Sequence, residues 1–185
     1  MMLLVVGGSA SGKSAYAESL FLDKPKKTYL ATMEPGGAEA KARIEKHRKS
    51  RAGLGFLTVE CPKEIGKACP ACNENVLLED IGNLVANEMF SDKGRFSHLP
   101  EIQGESASSE GEAEVIAQTL FDEILKLREA SEYLVIVTNE VFSDGADYDE
   151  TTKLYLSALA RLNALLAEAA DEVREVIYSI PKRRK

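Results

Sequence analysis

An α/β fold, with a mainly parallel sheet flanked by helices, is predicted by three observations. Apolar strand-like runs alternate with helical periodicities from one end of the chain to the other. Several of those runs are β-branched and apolar throughout, as strands covered on both faces must be. The first run feeds straight into a glycine-rich turn that opens a helix, so strand, loop and helix follow without a break. In chain order the strands are read at Leu3 to Val6, Thr28 to Ala31, Phe56 to Glu60, Val76 to Glu79, Tyr133 to Thr138 and Val173 to Tyr178. The helices between them are read at Lys13 to Leu22, Ala38 to Arg51, Gly82 to Phe90, Ala113 to Ala130 and Glu150 to Ala169. Between Ser91 and Glu112 the composition turns to Gly, Ser, Glu and Pro without periodicity, which predicts a partly mobile surface loop and not a linker. No internal repeat is evident.

Length and composition set the bounds. The 185 residues suit one domain, and a hydrophobic content of 44% supplies a continuous core. A net charge of −7 argues against a general nucleic-acid binder, which needs a basic surface for the phosphate backbone. The dense basic run Lys182-Arg183-Arg184-Lys185 is read as a solvated, frayed tail. No apolar run approaches a membrane span, and Met1 to Val6 lacks the basic start of a signal peptide, so the expected location is the cytoplasm. The cysteines are Cys61, Cys69 and Cys72, an odd set that does not suggest a disulfide framework. Cys69-Pro70-Ala71-Cys72 is a CxxC, but no second ligand pair stands at zinc spacing and a strand follows where a redox motif needs a helix. Ordinary loop cysteines are the preferred reading.

The turn after the first strand reads Gly7-Gly8-Ser9-Ala10-Ser11-Gly12-Lys13-Ser14, a complete Walker A motif in its required context. Such a loop turns backbone N–H groups toward phosphate oxygens, sends Lys13 to the β- and γ-phosphates and puts the Ser14 hydroxyl on Mg²⁺. Glycine is needed where a Cβ would block the approach of backbone to phosphate. A nucleoside triphosphate is therefore expected, with Mg²⁺ as its cofactor.

A loop of this kind also needs an acid beyond the tip of a neighbouring strand. Val76-Leu77-Leu78-Glu79-Asp80 has that form, with Glu79 as the metal-side candidate and Asp80 as a second, and a solvated acidic strand end is the less favoured reading of both. Glu60 closes another strand, at the end where open α/β sheets hold their ligands. In the second helical segment Arg43, His47 and Arg51 recur every four residues and share a stripe with Lys46 and Arg48 nearby. Surrounding cations disfavour imidazolium, which keeps His47 neutral and nucleophilic, and they suit a triphosphate. On the residues alone, a solvated basic helix face remains the preferred reading of that stripe.

The chain resembles the bifunctional adenosylcobinamide kinase / adenosylcobinamide-phosphate guanylyltransferase family of cobalamin biosynthesis. The resemblance is carried by the Walker A residues with Ala17-Glu18, Tyr29-Leu30-Ala31-Thr32, Arg43-Ile44-x-x-His47-x-x-x-Arg51, Thr58-Val59-Glu60 and Leu77-Leu78-Glu79. It continues through Val137-Thr138-Asn139-Glu140-Val141, Asn163 and Ala169-Ala170-Asp171-Glu172-Val173. It implies a P-loop α/β enzyme, commonly a homotrimer, that phosphorylates adenosylcobinamide with ATP or GTP and then passes GMP from GTP to adenosylcobinamide phosphate. His47 would carry the guanylyl group, Lys13 would serve phosphoryl transfer, and Ser14 with Glu79 would place the metal. Ala31, Thr32, Met33, Arg48, Lys49, Ser50, Arg51 and Glu60 match positions that contact the guanine nucleotide. The chain departs from the family at Ala10, where Arg is usual, at Ala52 and Phe56, and across Phe142 to Leu156, which bears on the corrinoid acceptor. Asp144 and Asp147 in that stretch are read as turn residues, and Asn139-Glu140 as site residues. Two other classes stay open, a P-loop kinase of another small hydroxylated substrate that leaves His47 idle, and a nucleotide-binding module without turnover.

Overall fold

A computed structural model of the chain describes residues 1–34, 52–71, 74–98, 109–143 and 145–185. The expected helix from Ala38 to Arg51 lies outside the described residues, together with Arg43, His47, Arg48, Lys49, Ser50 and Arg51; so do Cys72 and Asp144.

The strands are β1 (Met2–Gly7), β2 (Lys27–Ala31), β3 (Leu57–Glu60), β4 (Asn75–Glu79), β5 (Tyr133–Asn139), β6 (Glu172–Ile177) and β7 (Ile180–Arg183). The α-helices are α1 (Lys13–Ser19), α2 (Ile81–Phe90), α3 (Ser109–Glu129) and α4 (Glu150–Ala169). Among the described residues the strands form one sheet in the order β3-β2-β4-β5-β1-β6-β7. All pairings are parallel except β6 with β7. The α/β class and its parallel sheet are therefore as the alternating pattern predicts.

Strand alternation divides the core between two faces. Leu4, Leu30, Val76, Leu78, Leu134 and Ile136 point to a layer built by α2, α3 and α4. Their neighbours Leu3, Val5, Tyr29, Leu77, Val135 and Val137 point to the other face, under α1. There Phe21 packs against Phe56 and Tyr133, with ring centroids 5.4 Å apart in both pairs. Because successive residues serve opposite layers, these strands read as continuous apolar runs.

Two expectations need correction. The basic C-terminal run is not a frayed tail: Lys182 and Arg183 belong to β7, whose register sets Ile177 opposite Ile180 and Arg174 opposite Arg183. The Lys185 ammonium donates to the carbonyls of Ala167 and Glu168 at the end of α4, where free carbonyls favour a cation. The stretch from Ser91 to Glu112 is not one mobile loop either. Helix α3 already starts at Ser109, with Glu110 and Glu112 in its first turn, where acidic side chains are favoured. Residues 91–98 are tied down by Arg95, which pairs with the fully buried carboxylate of Glu88 on α2 and with Glu123 on α3. Residues 99–108 lie outside the described residues.

Candidate active site

The carboxyl ends of β1, β2, β4 and β5 bring the site together. Beyond β1 the chain turns through Gly8 to Gly12 and enters α1, where the Tyr16 N–H donates to the Gly12 carbonyl. Amides ahead of that bond have no partner within the helix, and a phosphate oxygen is the acceptor this geometry suits. Gly12 adopts φ 89°, a left-handed conformation that side chains rarely take. Gly7 is required for a different reason: a Cβ there would stand 2.6 Å from Ser11 Oγ and 2.7 Å from the Val176 carbonyl oxygen. Ala10, at the position where the family resemblance expects Arg, also takes a positive φ, 57°.

Lys13 is 8% exposed, and its ammonium donates to the Gly8 carbonyl at 3.2 Å, so it lies folded over the loop that it serves. Ser14 donates its hydroxyl proton to Glu79 Oε1 across the gap from α1 to the end of β4. The second carboxylate oxygen, Glu79 Oε2, is buried and has no hydrogen-bond partner among the described residues. A buried acceptor without a donor is costly unless something else fills its coordination. Ser14 and Glu79 thus fit a hard cation that takes oxygen ligands and completes its shell with water and phosphate. Among the described residues no group of three or more His, Cys, Asp and Glu side chains is placed to hold a metal by itself.

Around this pair a network locks the strand ends. Asp80 caps α2 by accepting from the Asn83 N–H at 2.7 Å. Burial pushes the Asp80 carboxyl above the usual range and Glu79 adds to the rise, against the hydrogen bonds from Asn83 and Asn139 and the charge of Lys13. Thr32, just past β2, is fully buried; its Oγ1 donates to the Asp80 carbonyl at 2.8 Å and accepts from the Asp80 N–H at 2.7 Å. Its N–H donates to the Glu79 carbonyl, and its own carbonyl accepts from Asn87 Nδ2 at 2.7 Å. Every polar group of Thr32 is committed inside the protein, so it acts as a clasp between β2 and β4 and offers no free group to a nucleotide. Sequence reasoning missed this clasp, because a threonine after a strand gives no sign of which backbone it will bind.

The other expected residues fall in two places. In the sheet register Ala31 stands opposite both Glu60 and Glu79, so the three share one row, and strand spacing puts Glu60 about 10 Å from Glu79. Ala31, Met33 and Glu60 therefore mark the tips of β2 and β3, which lie about 14 and about 19 Å along the sheet from β1. Beside them a cleft is lined by Glu34, Lys63, Phe90, Ser91 and Lys93. Lys63 donates to Glu34 at 2.5 Å, and that hydrogen bond holds the Glu34 carboxyl below its ordinary value. Asn139 ends β5 and Glu140 follows it, next to the phosphate-binding loop: the Glu140 N–H donates to the Gly7 carbonyl at 3.0 Å. Thr138 is buried and donates to Asn163 Oδ1 at 2.7 Å, which accounts for an asparagine on the inner side of α4. Asp147 is exposed and 3.6 Å from Lys153, while Asp149 caps α4 through the Thr152 N–H. The side chains of the CxxC pair are outside what the structure describes; Cys61 is a free thiol whose pKa is pushed up by burial.

A parallel sheet with a glycine-rich loop after β1, a lysine over that loop, and a serine facing a buried carboxylate defines a P-loop phosphotransferase. A model of the family described as cobinamide kinase / cobinamide phosphate guanyltransferase matches residues 3–183, and the chain belongs to that family. It is an enzyme of that kinase and guanylyltransferase class. The bifunctional adenosylcobalamin biosynthesis protein CobU of Salmonella typhimurium (strain LT2) is 32% identical over 187 residues, covering 97% of each chain. The protein of the same description from Escherichia coli (strain K12) is 34% identical over 187 residues, with the same coverage. Among the described residues no helix is long and apolar enough to cross a membrane.

Proposed function

We propose that the protein phosphorylates adenosylcobinamide with ATP or GTP and then transfers GMP from GTP to the product, giving adenosylcobinamide-GDP. The single observation that carries the first half is the Ser14–Glu79 pair beside the loop, with Glu79 Oε2 buried and lacking a donor. In the first reaction the acceptor's aminopropanol hydroxyl attacks the γ-phosphorus, its proton leaves to solvent, and the nucleoside diphosphate departs. Lys13 moves from the Gly8 carbonyl to the transferring phosphoryl group, and the loop amides offset charge on the β-phosphate. Ser14 and Glu79 would hold Mg²⁺, which when bound neutralises charge on the β- and γ-oxygens.

In the second reaction the neutral imidazole of His47 attacks the α-phosphorus of GTP, pyrophosphate leaves, and a phosphoramidate bond joins GMP to the ring. The phosphate of adenosylcobinamide phosphate then displaces His47, so that one hard displacement becomes two. Ala31, Met33, Arg48, Lys49, Ser50, Arg51 and Glu60 would surround the guanine nucleotide, with Thr32 holding the strand ends that carry them. Strand order puts the β2 and β3 tips about 14 and about 19 Å along the sheet from β1, which supports two nucleotide positions and not one. The protein acts in the cytoplasm as a homotrimer, without a nucleic-acid partner. Intact-protein mass spectrometry after incubation with GTP and Mg²⁺ tests the second half. An acid-labile GMP adduct mapping to His47 is expected; a protein that binds GTP and forms no adduct would leave a P-loop kinase alone.

A further inference from the structure

We infer that Tyr178, at the tip of the β6–β7 turn, is the platform on which the base of the P-loop-bound nucleoside triphosphate stacks. The inference rests on reading Gly7 to Ser14 as a triphosphate site, and it adds a residue that neither the motif nor the family resemblance contains.

The first argument is direction. Ser14 and Glu79 stand on the β4 side of the loop and would hold a metal there that neutralises the terminal phosphates, so the reacting end of the triphosphate would point toward β4 and β5. The nucleoside must leave the loop at the other end. On that side of β1 the neighbour is β6, and the element beyond its carboxyl end is the two-residue turn Tyr178-Ser179.

The second argument is attachment. The Ser179 N–H donates to the Ser11 carbonyl at 2.7 Å, and a Cβ built on Gly12 would come within 3.0 Å of Ser179 Cα. The turn is thus seated on the phosphate-binding loop, and whatever its tip carries is held at a fixed place relative to the phosphates.

The third argument is the residue itself. Tyr178 has φ 49° and Ser179 φ 63°, so both central positions of the turn are left-handed. Asn-Gly and Asp-Gly are the sequences such turns favour, since a large side chain at positive φ is disfavoured. A tyrosine there is 90% exposed and regains nothing by packing. Strain without a packing return at a site's rim points to function. An exposed, rigidly placed aromatic ring beside a phosphate cradle suits a flat, uncharged heterocycle, and stacking accepts any base because each has a π-face.

The test measures binding by the full chain, without turnover, for ATP and for inorganic tripolyphosphate, by calorimetry on the wild type, Tyr178→Ala and Tyr178→Trp. Loss of one base stack is expected to weaken ATP about tenfold or more in Tyr178→Ala, to leave tripolyphosphate unchanged, and to be reversed in Tyr178→Trp. Unchanged ATP affinity in Tyr178→Ala overturns the inference. So does an equal loss for ATP and tripolyphosphate, which would mean that the substitution disturbs the loop. Ile177 and Ile180 flank the tyrosine and are also exposed, so particle mass is followed by light scattering. A fall in mass with ATP binding intact would assign the patch to a contact between copies and overturn the inference. Should the wild type bind neither ligand, the P-loop reading fails and takes the inference with it.

Discussion

Lys13 and Thr32 are both enclosed polar residues at the sheet's carboxyl end, yet they do opposite work. Lys13 donates to a carbonyl of its own loop, a bond it can exchange for phosphate. Lys13→Ala should lower phosphoryl transfer by about 10²- to 10³-fold, in line with removal of one preorganised charge donor. Acceptor phosphorylation under saturating nucleotide measures it, and an unchanged rate would remove Lys13 from the reaction. Thr32 exchanges nothing, since its hydroxyl serves both the N–H and the carbonyl of Asp80. Thr32→Val should cost about 1–3 kcal/mol in denaturant unfolding, because two backbone groups lose a buried partner. The sequence announces Lys13 through a motif of fixed spacing. It does not announce Thr32 as a clasp, because that role depends on β2 and β4 being neighbours, and the partners lie 48 positions apart in the chain.

At the level of single elements, periodicity found the buried strands to within a residue or two, and its errors have physical causes. Helix α3 begins four residues before its expected start because Ser109-Glu110-Gly111-Glu112 has a loop's composition. Serine and glutamate are also what helix N-termini favour, so composition alone could not decide. Strand β7 was missed because Lys182 and Arg183 look solvated; they are exposed on a strand that pairs through its backbone. Segment 91–98 owes its order to the ion pairs of Arg95 with Glu88 and Glu123 and to the burial of Phe96, which no local pattern reveals. Arg95→Ala would leave the Glu88 carboxylate buried without its partner, at a cost of about 3 kcal/mol. That is the low end for a broken buried pair, since Arg95 keeps part of its surface in water. Thermal unfolding with ATP absent measures it, and a loss under about 0.5 kcal/mol would show that the segment does not depend on this pair.

Across the whole molecule, several carboxylates are held in their charged form by native contacts. Burial pushes Glu88 up, but the Arg95 guanidinium and the Glu64 N–H outweigh it and the net shift is downward. Glu34 is lowered by Lys63, and Asp171 by the Met2 N–H. A folded-state pKa below the unfolded value means stability that is fully present above the unfolded value, near 4.5 for Glu, and lost as pH falls through the folded one. The unfolding temperature should therefore decline as pH drops below about 4.5, and the decline should be shallower in Arg95→Met, where only the Glu64 N–H is left to oppose the larger effect of burial on Glu88. Identical acid profiles for the two proteins would contradict this. At this scale the sheet class was readable because alternating β and α segments leave few topologies. The separation of the β1 loop from the β2 and β3 tips was not, since it follows from strand order.

That separation supports two reactions at two places, and phosphoryl transfer by His47→Ala is the measurement that bears on it without intermediaries. The variant should phosphorylate adenosylcobinamide at a rate within about twofold of the wild type while forming no GMP adduct, because the proposed mechanism uses His47 in the guanylyl step alone. Equal loss of both activities in His47→Ala would contradict two separate sites.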